Sequence, residues 1–180
     1  MTKVSVIVPV YNEEATIIQL LEAVARQNIE GVTFEIIVID DGSRDKTVSL
    51  LQDRPELYSE LIVLLVNGGK GAAVKAGLGA ASGDYILFQD ADLEYDPADY
   101  EKLMLPVLKF GADLVLGSRF VAPQYTRVSY VWHKIGNKLP TFLFYMLNNT
   151  TFTDIYSWRR FLFFSYDRTS TSLALAFSFK

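Results

Sequence analysis

Cysteine is absent from the 180 residues, which excludes a disulfide framework and a thiolate metal site. Histidine occurs once, at His133. No run of 18 or more apolar residues occurs, so no membrane-spanning helix is expected. The most apolar piece, LPTFLFYML at 139–147, is too short to span and suits a core or a bilayer surface. The opening MTKVSVIVPVYNEE holds one lysine and then a strand-like run, without the apolar stretch and small-residue cleavage site of a signal peptide. Positive charge is not in excess either. The net charge of −4 argues against nucleic acid as the main partner. What remains is half hydrophobic and 21% charged, the balance of a globular chain. Its length suits one domain with a substantial core.

The chain alternates strand and helix patterns. KVSVIVPV reads as a buried strand, and Ile17, Leu20, Leu21 and Val24 recur at helical spacing after Glu13. FEIIVID is a second strand, followed by a helix from about Arg44 to Leu51 with Ser43 as its cap. ELIVLLV, the small-residue helix KGAAVKAGLGAA and DYILFQD come next. Asp96 then Pro97 marks a helix start that runs to about Phe110, where Gly111 stops it, and DLVLGS is a fifth strand. Such alternation predicts an α/β fold, a mostly parallel sheet with helices on both faces. No repeat or low-complexity linker interrupts it.

In open α/β sheets, ligands sit beyond the carboxyl ends of the strands. Four polar clusters land there: YNEE, DDGSRD, NGGKG and DADLE. In the last, Asp90, Asp92, Glu94 and Asp96 take every second position. In an extended chain they would share one side and repel. A hard divalent cation, Mg²⁺ or Mn²⁺, would relieve that repulsion, because one or two carboxylates plus phosphate oxygens suffice to hold it. Asp90 and Asp92 are read as metal ligands and Asp96 as a helix cap. Glu94 suits either a ligand or a solvated turn. The loop fails as an EF-hand because Tyr95 stands where that loop needs glycine. NGGKG is not a P-loop, since Gly71 rather than Ser or Thr follows Lys70. Gly68 and Gly71 suit a tight turn and a close helix approach. Lys70 suits either a phosphate contact or a solvated first turn. Asp40 and Asp41 end a strand, where one carboxylate can accept from a base or ribose while the other caps the turn.

Taken together, VPVYNEE, IDDGSRDKT, NGGKGAAVKAG, GDYILFQDADLEYDP and GSRF resemble glycosyltransferase family 2. The resemblance is to its dolichol-phosphate mannose synthase and polyprenyl-phosphate glycosyltransferase branch, over roughly residues 3–120, with looser landmarks in GNK at 136–138 and TFTD at 151–154. It implies a Rossmann-like GT-A fold and a nucleotide-diphosphate sugar donor of the GDP-mannose or UDP-glucose type. It also implies a divalent metal and inversion at the anomeric carbon. By the same resemblance, Pro9, Tyr11 and Glu13 hold base and ribose, and Asp41 recognises the base with Asp40 beside it. Asp90 and Asp92 form the metal-binding pair that Glu94 completes, and Arg119 lies near phosphate.

The resemblance implies a polyprenyl phosphate acceptor, already anionic and in need of no base. Arg127, His133 and Lys134 are the candidates for its phosphate. A sugar-hydroxyl acceptor would need a base, for which Asp154 is the motif-based candidate. A third reading is an inactive nucleotide-sugar-binding module. The resemblance fades after Ser157, so 1–157 is read as a catalytic domain shortened at its carboxyl end, and 158–180 as an unassigned aromatic-rich tail in which SLALAFSF alternates like a strand. The expected location is the cytoplasm, with peripheral contact at the cytoplasmic face of the membrane.

Overall fold

The computed structural model describes residues 1–116 and 162–165. The chain divides into two compact units, 1–115 with 163–180, and 116–162. Residues 117–161 of the second lie outside the described residues.

The described residues form an α/β sheet. Its strands are β1 (Thr2–Val10), β2 (Val32–Asp40), β3 (Glu60–Val63), β4 (Tyr85–Phe88), β5 (Leu114–Leu116) and β6 (Leu162–Ser165), in the order β3-β2-β1-β4-β6-β5. β1 pairs parallel with both β2 and β4, and β2 parallel with β3, while β6 runs antiparallel to β4. The sheet is thus mostly parallel, as expected. β6, the LFFS segment, lies in the stretch left unassigned. SLALAFSF, the part that alternates in sequence, lies outside the described residues.

β1 is buried from Val4 through Val8, and successive side chains point to opposite faces. Both faces are therefore covered. On one face, α3 (Lys70–Ala80) lies so close that a Cβ on Gly77 would stand 2.7 Å from Ile7 Cγ2 and 2.7 Å from Ile39 Cδ1. On the other face, Phe34 meets Tyr100 of α4 (Tyr100–Phe110), with ring centroids 5.7 Å apart. α1 (Ile17–Ala25) buries Ile17, Leu20, Leu21 and Val24, the four positions its spacing predicts.

Two helices start later than the sequence suggests, for one reason. The residues between β1 and α1 are tied to those between β2 and α2 (Thr47–Gln52). The amides of Asn12, Glu13 and Glu14 donate to Ser43 Oγ, Thr47 Oγ1 and Asp45 Oδ2. Ser43 is therefore not a helix cap; its hydroxyl is taken by Asn12, and Asp45 accepts the Thr47 amide at 2.9 Å instead. The Asp96 expectation holds. Its carboxylate accepts from the Ala98 amide at 2.9 Å, and Pro97 opens a 3-10 turn (Pro97–Asp99) that leads into α4. Gly111, at φ +62°, closes that helix in the left-handed conformation that glycine adopts without strain.

Candidate functional site

Strand order reverses between β1 and β4. From β1 the chain winds outward to β2 and β3, then returns to place β4 on the other side of β1. Such a switch point opens a crevice at the carboxyl ends of the two strands. There Gln89, just past β4, donates its amide to Ile7 O of β1 at 3.0 Å, and Asp90 follows.

Hydrogen bonds join the four loops along this edge. The first and second are linked by the bonds to Ser43, Asp45 and Thr47 and by Arg44 N, which donates to Asn12 Oδ1 at 2.8 Å. Asn12 adopts φ +54°. The second and third meet where Asp41 Oδ1 accepts the Gly68 amide at 2.9 Å. The third and fourth meet where the Lys70 ammonium pairs with Asp90 Oδ1.

The carboxylates divide these tasks. Asp40 is fully buried, and its Oδ2 accepts from Ser43 N at 2.9 Å, so it caps the turn after β2. Its Oδ1 is buried with no hydrogen-bond partner among the described residues; an acceptor left so costs about 1–3 kcal/mol. Asp41 is 3% exposed and holds the third loop. Glu13 Oε2 accepts from Thr16 Oγ1 at 2.7 Å, within its own turn. Tyr11 is 42% exposed, and Pro9 is half-buried on β1 opposite Ile39.

The alternating carboxylates do not line one side of an extended chain. β4 ends at Phe88, and Leu93 takes φ +58°, which turns the chain. Asp92 Oδ1 accepts from Glu94 N at 3.1 Å, while Asp96 turns away to cap. Their mutual repulsion is thus relieved by the turn and, at Asp90, by the Lys70 ammonium.

One residue here went unseen in the sequence. Gln89 is fully buried. Its Nε2 donates to the carbonyls of Asp90 at 3.0 Å and Tyr95 at 3.3 Å, and its Oε1 accepts from the Tyr100 hydroxyl at 2.8 Å. It pins the turn that bears Asp90 and Asp92 to the start of α4. Burial raises the Tyr100 phenol well above its ordinary value, so it stays a proton donor. The only sequence signal was a polar residue closing an apolar strand.

The donor set suits a hard cation. Asp90 is half-buried and already paired with one positive charge, the Lys70 ammonium, and Asp92 is exposed two residues on. No three His, Cys, Asp or Glu side chains converge to hold an ion among the described residues. A cation on this pair would draw its other oxygens from a ligand or water. Arg119, Arg127, His133, Lys134 and Asp154 lie outside the described residues. Among the described residues no helix is long and apolar enough to cross a membrane.

Comparison with known proteins adds the following. The family description Glycosyl transferase family 2 matches residues 5–169. The undecaprenyl-phosphate 4-deoxy-4-formamido-L-arabinose transferase of Pseudomonas aeruginosa is 40% identical over 105 residues, 56% of this chain and 31% of that protein. The dolichol-phosphate mannosyltransferase of Pyrococcus furiosus is 36% identical over 120 residues, 66% of this chain and 34% of that protein. The chain spans about a third of the length of these curated relatives. Among solved structures, S. aureus TarS in complex with UDP superposes with a TM-score of 0.57 at 29% identity, over 68% of this chain and 38% of that one. Glucosyl-3-phosphoglycerate synthase from Mycobacterium tuberculosis, in complex with Mn²⁺, UDP and glucosyl-3-phosphoglycerate, gives 0.53 at 30% identity, over 63% of this chain and 42% of that one.

Proposed function

Because the chain belongs to glycosyl transferase family 2, we propose that it moves a sugar from a nucleoside-diphosphate donor to a polyprenyl or dolichyl phosphate. It is a glycosyltransferase with the GT-A fold of its solved neighbours, related to polyprenyl-phosphate sugar transferases. The observation that carries the reading is the place of Asp90. It stands at the switch point between β1 and β4, paired with the ammonium of Lys70, the first residue of α3. Charged diphosphates bind where a helix amino end and a cation converge.

In this reading Asp41, with Asp40 beside it, recognises the base, and Pro9, Tyr11 and Glu13 border base and ribose. The Lys70 ammonium and the amides of Lys70 and Gly71 attract the diphosphate. A Mg²⁺ or Mn²⁺ ion held by Asp90 and Asp92, with Glu94 near, would neutralise the leaving nucleoside diphosphate. An acceptor phosphate oxygen forms the bond to the anomeric carbon as the bond from that carbon to the diphosphate breaks, with inversion. Arg119 assists at phosphate, and Arg127, His133 and Lys134 hold the acceptor. The reading includes peripheral contact at the cytoplasmic face of the membrane, where the protein would meet such an acceptor.

The neighbour solved with UDP and glucosyl-3-phosphoglycerate supports a second reading, a non-lipid acceptor whose hydroxyl needs a base, Asp154. GDP-mannose and UDP-glucose should first be titrated calorimetrically with Mn²⁺ to identify the donor. That donor is then offered with a short polyprenyl phosphate in detergent and, in parallel, with free hydroxyl acceptors. Transfer to the lipid phosphate supports the proposal, and transfer only to hydroxyls replaces it with the second reading. Donor binding without any transfer in either arm reassigns these residues to a binding module.

A further inference from the structure

Lys70 is the first residue of α3, and its ammonium lies on Asp90 rather than free in solvent. From this pairing we infer that Lys70 is an exchange cation. In the donor-free protein it neutralises Asp90. When donor binds, its ammonium passes to the diphosphate while a divalent ion takes its place on Asp90. The inference rests on the donor site proposed above and concerns how that site loads.

Three features favour exchange over a fixed structural pair. The first is the unequal setting of the partners. The Asp90 side chain is 18% exposed and that of Lys70 56% exposed, so the lysine is the partner free to leave. The second is the backbone around Lys70. Gly69 holds φ +79°, and a Cβ on Gly69 or on Gly71 would meet nothing within 4 Å. The chain on either side of Lys70 is therefore bare and open. The amides of Ala72 and Ala73 already donate to Gly69 O at 2.9 and 3.3 Å, which leaves those of Lys70 and Gly71 as the donors that the helix itself does not use. Gly68 is different, since its Cβ would stand 2.7 Å from Ala72 Cβ, and its amide is already held by Asp41. The third feature is charge. Ammonium and helix end together form a positive pole that Asp90 now satisfies. A diphosphate is the stronger anion for that pole, and a divalent ion is the stronger cation for the Asp90–Asp92 pair.

Exchange makes the two ligands help one another. Metal alone must displace Lys70 from Asp90, and diphosphate alone must draw Lys70 away and leave Asp90 uncompensated. Together, each removes the other's obstacle. Such coupling is reciprocal, so Mn²⁺ raises nucleotide affinity by the factor by which nucleotide raises Mn²⁺ affinity.

Lys70→Met tests this, because it removes the charge and keeps an unbranched stem. Mn²⁺ binding is read by the electron paramagnetic resonance of the free ion, and UDP or GDP binding by calorimetry, each with and without the other ligand. In the variant, Mn²⁺ alone should bind about three- to fivefold more tightly, the scale of an exposed ion pair removed. Nucleoside diphosphate in the presence of Mn²⁺ should bind at least about tenfold more weakly, the scale of a charge-assisted hydrogen bond lost. The coupling factor should fall. These opposite signs are what a merely structural lysine would not produce. Mn²⁺ affinity unchanged or weakened in the variant overturns the exchange while leaving the donor site in place. If the parent protein itself shows no metal-dependent nucleotide binding, the donor-site reading falls and the exchange with it.

Discussion

The Tyr100 hydroxyl donates to Gln89 Oε1 at 2.8 Å, with both residues fully buried. Through Gln89, the first residue of α4 holds the carbonyls of Asp90 and Tyr95, the two ends of the turn that presents Asp92. The most polar loop of the site is thus fastened from inside the core.

Tyr100→Phe removes one proton donor and leaves the ring in place against Phe34. Losing that donor to a buried amide oxygen should cost about 1–3 kcal/mol, read as a lower urea midpoint at constant slope. Gln89→Leu should cost more, because two carbonyls lose their donor as well. It should also weaken Mn²⁺-dependent nucleotide binding in protein that is still folded. An unchanged midpoint in Tyr100→Phe would show that the network does not hold the turn.

Two glycines should differ in how they tolerate a methyl group. At Gly77 the added Cβ would meet side chains only, the Cδ1 end of Ile39, which can turn, and the Cγ2 methyl of Ile7, which yields only with its χ1 or a small shift of the helix. Gly77→Ala should cost about 1–3 kcal/mol, as overpacked cores do. At Gly83 the Cβ would stand 2.6 Å from Ser5 N and 2.9 Å from Lys3 O. Those are backbone atoms of β1, and they cannot yield without moving the strand. Gly83→Ala should therefore exceed Gly77→Ala in thermal destabilisation, and the reverse order would contradict the packing described.

Glu35 supplies a pH signature at the opposite, amino edge of the sheet. Burial alone would raise its pKa, but hydrogen bonds from Lys3 Nζ (2.7 Å), Ser5 Oγ (2.5 Å) and the amide and hydroxyl of Ser82 (2.9 and 2.5 Å) outweigh it. The result is a pKa lowered from 4.5 to about 2. A carboxylate whose pKa is lower in the folded state stabilises the fold fully above its unfolded value. That contribution is lost as pH falls from about 4.5 toward 2. With water touching the network, it should amount to about 1–2 kcal/mol. Glu35→Gln should be less stable than the parent at pH 7, with the gap closing across that window in urea titrations. A gap independent of pH would mean that the charge contributes nothing.

The sequence carried the parallel core well, because β1 and β2 announce themselves as continuous β-branched apolar runs and α1 by helical spacing, and each buries the residues so selected. It placed the site edge for the same reason, since strand ends fix where the loops emerge. It did not reveal which carboxylate does what. Asp40 and Asp41 are neighbours with the same chemistry, and only the fold shows one capping its own turn while the other reaches Gly68, 27 residues on. The alternation at Asp90–Asp96 misled because period two assumes an extended chain, and Leu93 at φ +58° is not extended. Gln89 was hidden because its partners, Tyr95 and Tyr100, are brought to it by a turn rather than by a repeat.

Asp92 offers the sharpest test of the metal reading. It is exposed, and among the described residues its Oδ1 accepts only a local amide, that of Glu94. An asparagine keeps a side-chain oxygen for that bond, so Asp92→Asn should leave the unfolding midpoint within about 0.5 kcal/mol of the parent, as surface substitutions do. The charge is a different matter. Removing one of two carboxylates from a site that must neutralise a hard cation should abolish most of the gain in nucleotide affinity that Mn²⁺ or Mg²⁺ provides. A chelator should mimic the substitution in the parent and add nothing in the variant. Should both proteins gain equally from metal, the ion is held elsewhere, and Asp92 is only the first residue of a turn.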